Sequence, residues 1–155
     1  MLNKLLGMLF PCAGPGLSID RVVQTDGWTC GPISLCSVAL YHDLDVSLDE
    51  VMDACNIDEE GMTNRGLSIA ARSIGFKTKW VKFSMTALRK EIEAGRPVIV
   101  TRFDVSSEPH FSVARGTDDE FIYFCDPSPW ARHRMSIRES DDSLEDRMLI
   151  LVPKP

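Results

Sequence analysis

The sequence predicts a single α+β domain, and three observations carry that prediction. Segments with helical periodicity cluster in the first half of the chain, and β-branched or aromatic runs in the second. One segment, Thr29 to Tyr41, is uncharged and apolar nearly all round, so it belongs inside a protein rather than on its surface. The 155 residues, 44% hydrophobic and 26% charged, have the composition of one globular unit with its own core.

The segment Gln24-Thr-Asp-Gly-Trp-Thr-Cys30-Gly-Pro-Ile organises the rest. Thr29 is the expected N-cap of the apolar helix, and Pro32 fits its first turn, where backbone N–H groups have no intrahelical partner. Cys30 then stands at a helix N-terminus, where free N–H groups and the helix dipole favour a thiolate. Gln24, six residues earlier, can aim a side-chain amide at the same spot.

The remaining elements follow from pattern and punctuation. Ser47-Leu-Asp-Glu50 is a capping box, followed by Leu48, Val51, Met52 and Cys55 on one helical face. After a loop from Asn56 to Arg65, Leu67, Ala70, Ala71 and Ile74 repeat that spacing up to a stop at Gly75. Phe76 to Phe83 reads as a strand, and Met85 to Ala94 as a helix ended by Gly95 and Pro97. Val98 to Phe103, His110 to Arg115, Glu120 to Cys125 and Met148 to Val152 read as strands, with Arg134 to Arg138 a short one. The turn at 116–119 joins two of them as a hairpin, and the acids at 141–146 read as a solvated loop.

Residues 1–16 are read as an N-terminal arm and residues 17–155 as the domain proper. The arm has one lysine followed by a brief apolar run, a weak match to an export signal, so the cytoplasm is the expected compartment and export the alternative. The net charge of −6 argues against nucleic acid or an anionic membrane as the main partner. No run is long enough to span a bilayer. Five cysteines without a C-x-x-C pair suggest neither a full disulfide framework nor a zinc knuckle, and Cys36, Cys55 and Cys125 are expected to be buried, reduced thiols.

A thiolate needs a base, and the base an orienting group. His110 opens a strand after a polar loop, and Asp126 ends the next strand just before Pro127. Pairing across the 116–119 turn brings the two to one edge of the sheet, where the carboxylate can hold the imidazole for Cys30. His42 ends the central helix, a helix length from Cys30, and His133 sits in a basic loop. Trp28 and Trp130 are candidates either for a substrate cleft or for core packing. The predicted catalytic set is Cys30, His110, Asp126 and Gln24.

This set resembles the papain-like cysteine peptidases, and in particular the bacteriocin-processing (double-glycine leader) peptidase family with its stand-alone relatives. The matching pieces are Gln24-x5-Cys30-Gly31, Gly66-Leu-Ser with Gly75-Phe, the Arg96-Pro-Val-Ile strand, His110-Phe-Ser-Val and Cys125-Asp-Pro127, in family order. Thr29 stands where many relatives carry Asp. The resemblance implies a helical half carrying Cys30, an antiparallel sheet half carrying His110 and Asp126, and a cleft between them. It implies peptide-bond hydrolysis of a peptide or protein substrate, with Gln24 in the oxyanion hole and no cofactor or metal. Two alternatives use the same scaffold: deamidation or acyl transfer on a partner protein, and non-catalytic peptide binding.

Overall fold

The structure, a computed structural model, describes residues 10–12 and 14–155. The expected apolar run of the export-signal reading lies outside the described residues. Strands β1 (Phe10–Pro11) and β2 (Asp20–Arg21) form a small ladder, followed by helices α1 (Cys30–Tyr41), α2 (Leu48–Cys55) and α3 (Asn64–Ser73). Then come β3 (Phe76–Lys82), α4 (Met85–Glu93), β4 (Val98–Arg102), β5 (His110–Thr117), β6 (Phe121–Cys125), β7 (Arg134–Ser136), α5 (Ile137–Ser143) and β8 (Leu144–Pro153).

The main sheet has six strands in the order β3-β8-β4-β5-β6-β7, every neighbouring pair antiparallel. The last strand returns to lie between β3 and β4, so the C-terminal residues are built into the sheet. Alternate side chains feed two cores. Ile99, Phe111, Val113 and Leu149 pack with α1 on one face, while Val98, Val100, Ala114 and Met148 pack on the other with Leu88 of α4. A strand buried on both faces can be apolar throughout, which explains the unbroken Val98-Ile-Val run.

The N-termini of α2, α3 and α4 carry side-chain caps. Ser47 and Glu50 form the capping box of α2, and Ser84 caps α4. Thr63 caps α3, so that helix starts two residues before Gly66. Two expectations need correction. The acidic stretch at 141–142 is helical, because Ser136 and Glu139 close a second capping box that starts α5, and Glu145 and Asp146 lie in β8. Cys125 is not a free thiol: it forms a disulfide with Cys12, its Cα 5.5 Å from that of Cys12.

That disulfide belongs to a wider attachment of residues 10–17. Arg115, 1% exposed, donates to the carbonyls of Cys12, Gly14 and Leu17 at 2.8–2.9 Å. The register of β5 against β6 slips between Ala114 and Gly116, a bulge at Arg115. Backbone meets backbone beside it, since a Cβ on Gly116 would lie 2.5 Å from the Pro15 carbonyl oxygen. Cys36 and Cys55 are buried and free, as expected, and burial pushes their thiols up to about 11 and about 12. Among the described residues no helix is long and apolar enough to cross a membrane.

Candidate active site

Cys30 is delivered by a short loop that Asp26 organises. One Asp26 carboxylate oxygen accepts the Trp28 N–H at 3.0 Å, the Thr29 N–H at 2.9 Å and the Thr29 hydroxyl at 2.8 Å. Thr29 does occupy the N-cap position of α1, but its side chain makes no capping bond because Asp26 has taken the hydroxyl. The first-turn N–H groups of Cys30 and Gly31 have no intrahelical partner, as at any helix start. Gly31 is needed there for space: a Cβ would fall 2.6 Å from Met62 Sδ and 3.2 Å from the Phe111 ring.

His110 and Asp126 meet at the edge of the sheet where β5 begins and β6 ends. The imidazole Nε2 lies 2.7 Å from Asp126 Oδ1, with both residues buried. Cys30 acts electrostatically on the ring, and with Nε2 bound to Asp126 the nitrogen left for the sulfur is Nδ1. Burial pulls the His110 pKa down, but Asp126 and Cys30 outweigh it and raise the value to about 9. At neutral pH the ring is therefore protonated, set between the Cys30 sulfur and the Asp126 side chain.

Asp126 is held from behind as well. Its Oδ1 also accepts the Ser128 N–H at 2.9 Å, and its Oδ2 accepts Arg102 Nη1 at 3.0 Å. Arg102, 0% exposed, is a residue that sequence reasoning missed. A signal was present in the arginine closing the buried run Val98-Ile-Val-Thr, with Asp104 two residues on. Asp26 was also missed, although Asp26-Gly27 is a turn pair of the kind that bonds its own backbone.

Gln24 lies beside the site and is buried. Its backbone N–H donates to the Pro127 carbonyl at 2.9 Å, next to Asp126, and its side-chain amide donates one hydrogen to the Asp26 carbonyl at 2.6 Å. The cleft over Cys30 has a volume of about 410 Å³ and is walled by Trp28, Met62, Pro109 and Phe111. Trp28 thus faces the cleft, whereas Trp130 is 79% exposed and belongs to no core. His42 packs edge-on against Tyr41 and Phe76 at the far end of α1.

The peptidase C39 family model matches residues 18–155. The chain belongs to the peptidase C39 family. This C39 chain superposes on a double glycine motif protease from an AMS/PCAT transporter, solved in complex with the leader peptide, with a TM-score of 0.76 and 25% identity over 93% of this chain and 98% of that one. It matches the peptidase domain of Streptococcus ComA, a bifunctional ABC transporter of a quorum-sensing pathway, with a TM-score of 0.75 and 27% identity over 86% and 97% of the two chains. An uncharacterized protein of Methanothermobacter marburgensis is 29% identical over 111 residues, 70% of this chain and 73% of that protein. Full-length ComA of Streptococcus pneumoniae, a transport/processing ATP-binding protein, is 26% identical over 85% of this chain but only 18% of its own length. The papain-like α+β architecture is thus shared with peptidases, and the family is one of cysteine peptidases.

Proposed function

We propose that this C39 chain hydrolyses peptide bonds with Cys30 as nucleophile, His110 as general acid and base, Asp126 as its orienting group and Gln24 as an oxyanion donor. The observation that carries the proposal is the buried His110–Asp126 pair, 2.7 Å apart, whose ring Cys30 influences from the lining of a cleft. In the resting ion pair the imidazolium holds the proton. The thiolate attacks the scissile carbonyl carbon, and charge moves onto its oxygen. The Cys30 backbone N–H and the second hydrogen of the Gln24 amide receive that oxyanion. His110 then protonates the departing amine, the C–N bond breaks, and a thioester to Cys30 remains. Neutral His110 next takes a proton from water, which attacks the thioester and restores the thiolate.

The neighbours named for a double glycine motif and a leader peptide supply the first substrate to try: an extended peptide with Gly-Gly before the scissile bond. The intact protein incubated with such peptides should give two fragments by mass spectrometry, and Cys30→Ala none. Ammonia release from a glutamine-bearing protein without chain cleavage would replace the peptidase reading with deamidation. The compartment bears on the arm rather than on this chemistry, since the Cys12–Cys125 bond persists where conditions are oxidising and opens where they are reducing.

A further inference from the structure

Arg102 and His110 are direct partners across the β4–β5 ladder, so their side chains leave the sheet on the same face. Two cationic side chains at paired positions repel unless something separates them. Asp126 does so, with one oxygen 2.7 Å from His110 Nε2 and the other 3.0 Å from Arg102 Nη1. The guanidinium has no exposed surface and lies 4.2 Å above the Phe124 ring. Its other donors are engaged too: Nε and Nη2 each reach Asp104 at 2.9 Å, and Nη1 reaches the Arg132 carbonyl at 3.0 Å. Arg132 clasps Asp104 from outside at 3.0 Å and pairs with Glu139 of α5 at the surface.

The result is a row of alternating charge, Glu139–Arg132–Asp104–Arg102–Asp126–His110, that runs from solvent to the ring beside Cys30. We propose that Arg102 is a positioning residue for this site, fixing Asp126 against His110 and dividing that carboxylate's charge between guanidinium and imidazolium. The inference rests on the triad reading above and adds to it a group that touches neither substrate nor sulfur. An arginine bound this way keeps one oxygen of Asp126 occupied and so locks the other toward His110. It also competes for the charge that holds the proton on His110, keeping the ring from becoming too weak an acid to protonate a leaving amine.

The charged and titratable surroundings are few. His110 faces Asp126 and Cys30, with Glu108 at the cleft rim two residues before it. Arg102 faces Asp104 and Asp126, with Arg132 behind Asp104. A small cavity beside Asp126 carries Arg21 and His133 on its wall. Loss of the Arg102 charge leaves His110 as the cationic partner of Asp126, beside the Ser128 N–H, and must raise the ring's titration midpoint. Loss of the Asp104 charge frees more of Arg102 for Asp126 and must lower it.

The test follows the His110 ring by ¹⁵N nuclear magnetic resonance through a pH titration of the full chain, alongside iodoacetamide labelling of Cys30. In Arg102→Gln the midpoint should rise by roughly one pH unit, in Asp104→Asn it should fall by less, and in Arg102→Lys, which keeps the charge, it should stay near wild type. A purely structural Arg102 would lower folding stability and leave the His110 midpoint where it was in both Arg102→Gln and Asp104→Asn, and that result overturns the proposal. Should Arg102→Gln fail to fold, as judged by near-ultraviolet circular dichroism, Asp104→Asn alone decides: an unmoved midpoint overturns the proposal. The ring titration does not need a reactive thiol. Slow labelling of wild-type Cys30 would therefore sink the peptidase reading separately, whatever the ring does.

Discussion

Arg102 and Arg115 are both buried in the sheet, at 0% and 1% exposure, yet the two regions they hold together are built on different chemistry. Arg102 is neutralised by carboxylates, Asp104 and Asp126, and closes the charged row behind His110. Arg115 instead gathers backbone carbonyls of Cys12, Gly14 and Leu17 onto a bulge, and burial holds its pKa below the usual arginine value. The regions touch at adjacent residues of one strand end: Cys125 is tied to the arm, and Asp126 to the imidazole. The contrast separates what sets reactivity from what holds a segment in place. Ion pairs near the sulfur tune proton affinities, whereas carbonyl bonds and a disulfide restrict the chain.

Substitutions at the two regions should therefore fail in different assays. The largest effect is at the sulfur: Cys30→Ala should abolish peptide hydrolysis, on the order of 10⁶-fold, with an unchanged melting temperature. Next is Gln24→Ala, which should cost ~10²–10³ in kcat while iodoacetamide labels Cys30 at the wild-type rate, because the amide acts only as charge develops. Equal losses in both assays would make Gln24 a support for the Asp26 loop.

At the arm the order reverses. The Cys12–Cys125 bridge closes a sequence separation of 113 residues, so Cys12→Ser should lower stability by about 2–4 kcal/mol in urea titrations and change hydrolysis by no more than about twofold. Deletion of residues 1–16 should cost more stability, since it also takes the Cys12 and Gly14 carbonyls from Arg115, yet leave a folded, labelled protein; loss of Cys30 labelling would join the arm to the catalytic unit.

The smallest effect at neutral pH is on the alkaline side of the rate profile. With its folded pKa raised to about 9 from an ordinary 6.5, His110 stays protonated at neutral pH. Hydrolysis should thus hold level from pH 7 to pH 8 and fall as the imidazolium is lost near pH 9. The same sign applies to stability: the contribution of the protonated ring is complete below the unfolded value and disappears as pH rises through the folded one.

The elements and the meeting of His110 with Asp126 were largely legible because each rests on local pattern. Cys30 stood at the start of an apolar helix, and one hairpin was enough to bring His110 toward Asp126. The rest depends on contacts that no local pattern encodes. Arg102 reads as the polar end of a strand until β5, β6 and the Arg132 loop close around it. The Cys12–Cys125 pairing follows from where the arm lands, and spacing alone does not fix a disulfide partner. Helix α5 is a different case: Ser136-Ile-Arg-Glu139 is a readable capping box, but Glu139 to Ser143 carries no apolar residue to mark a helical face.

The central claim, that Cys30 is activated by His110, is tested most directly by mapping the site and rate of alkylation. The folded protein is treated with limiting iodoacetamide at neutral pH and digested, and the modified cysteines are identified by mass spectrometry, in wild type and in His110→Ala. The account predicts a label on Cys30 alone, with Cys36 and Cys55 silent because burial holds them protonated at about 11 and about 12, and a large loss of rate in His110→Ala. Labelling spread over the three free thiols, or a Cys30 rate indifferent to His110, would contradict it.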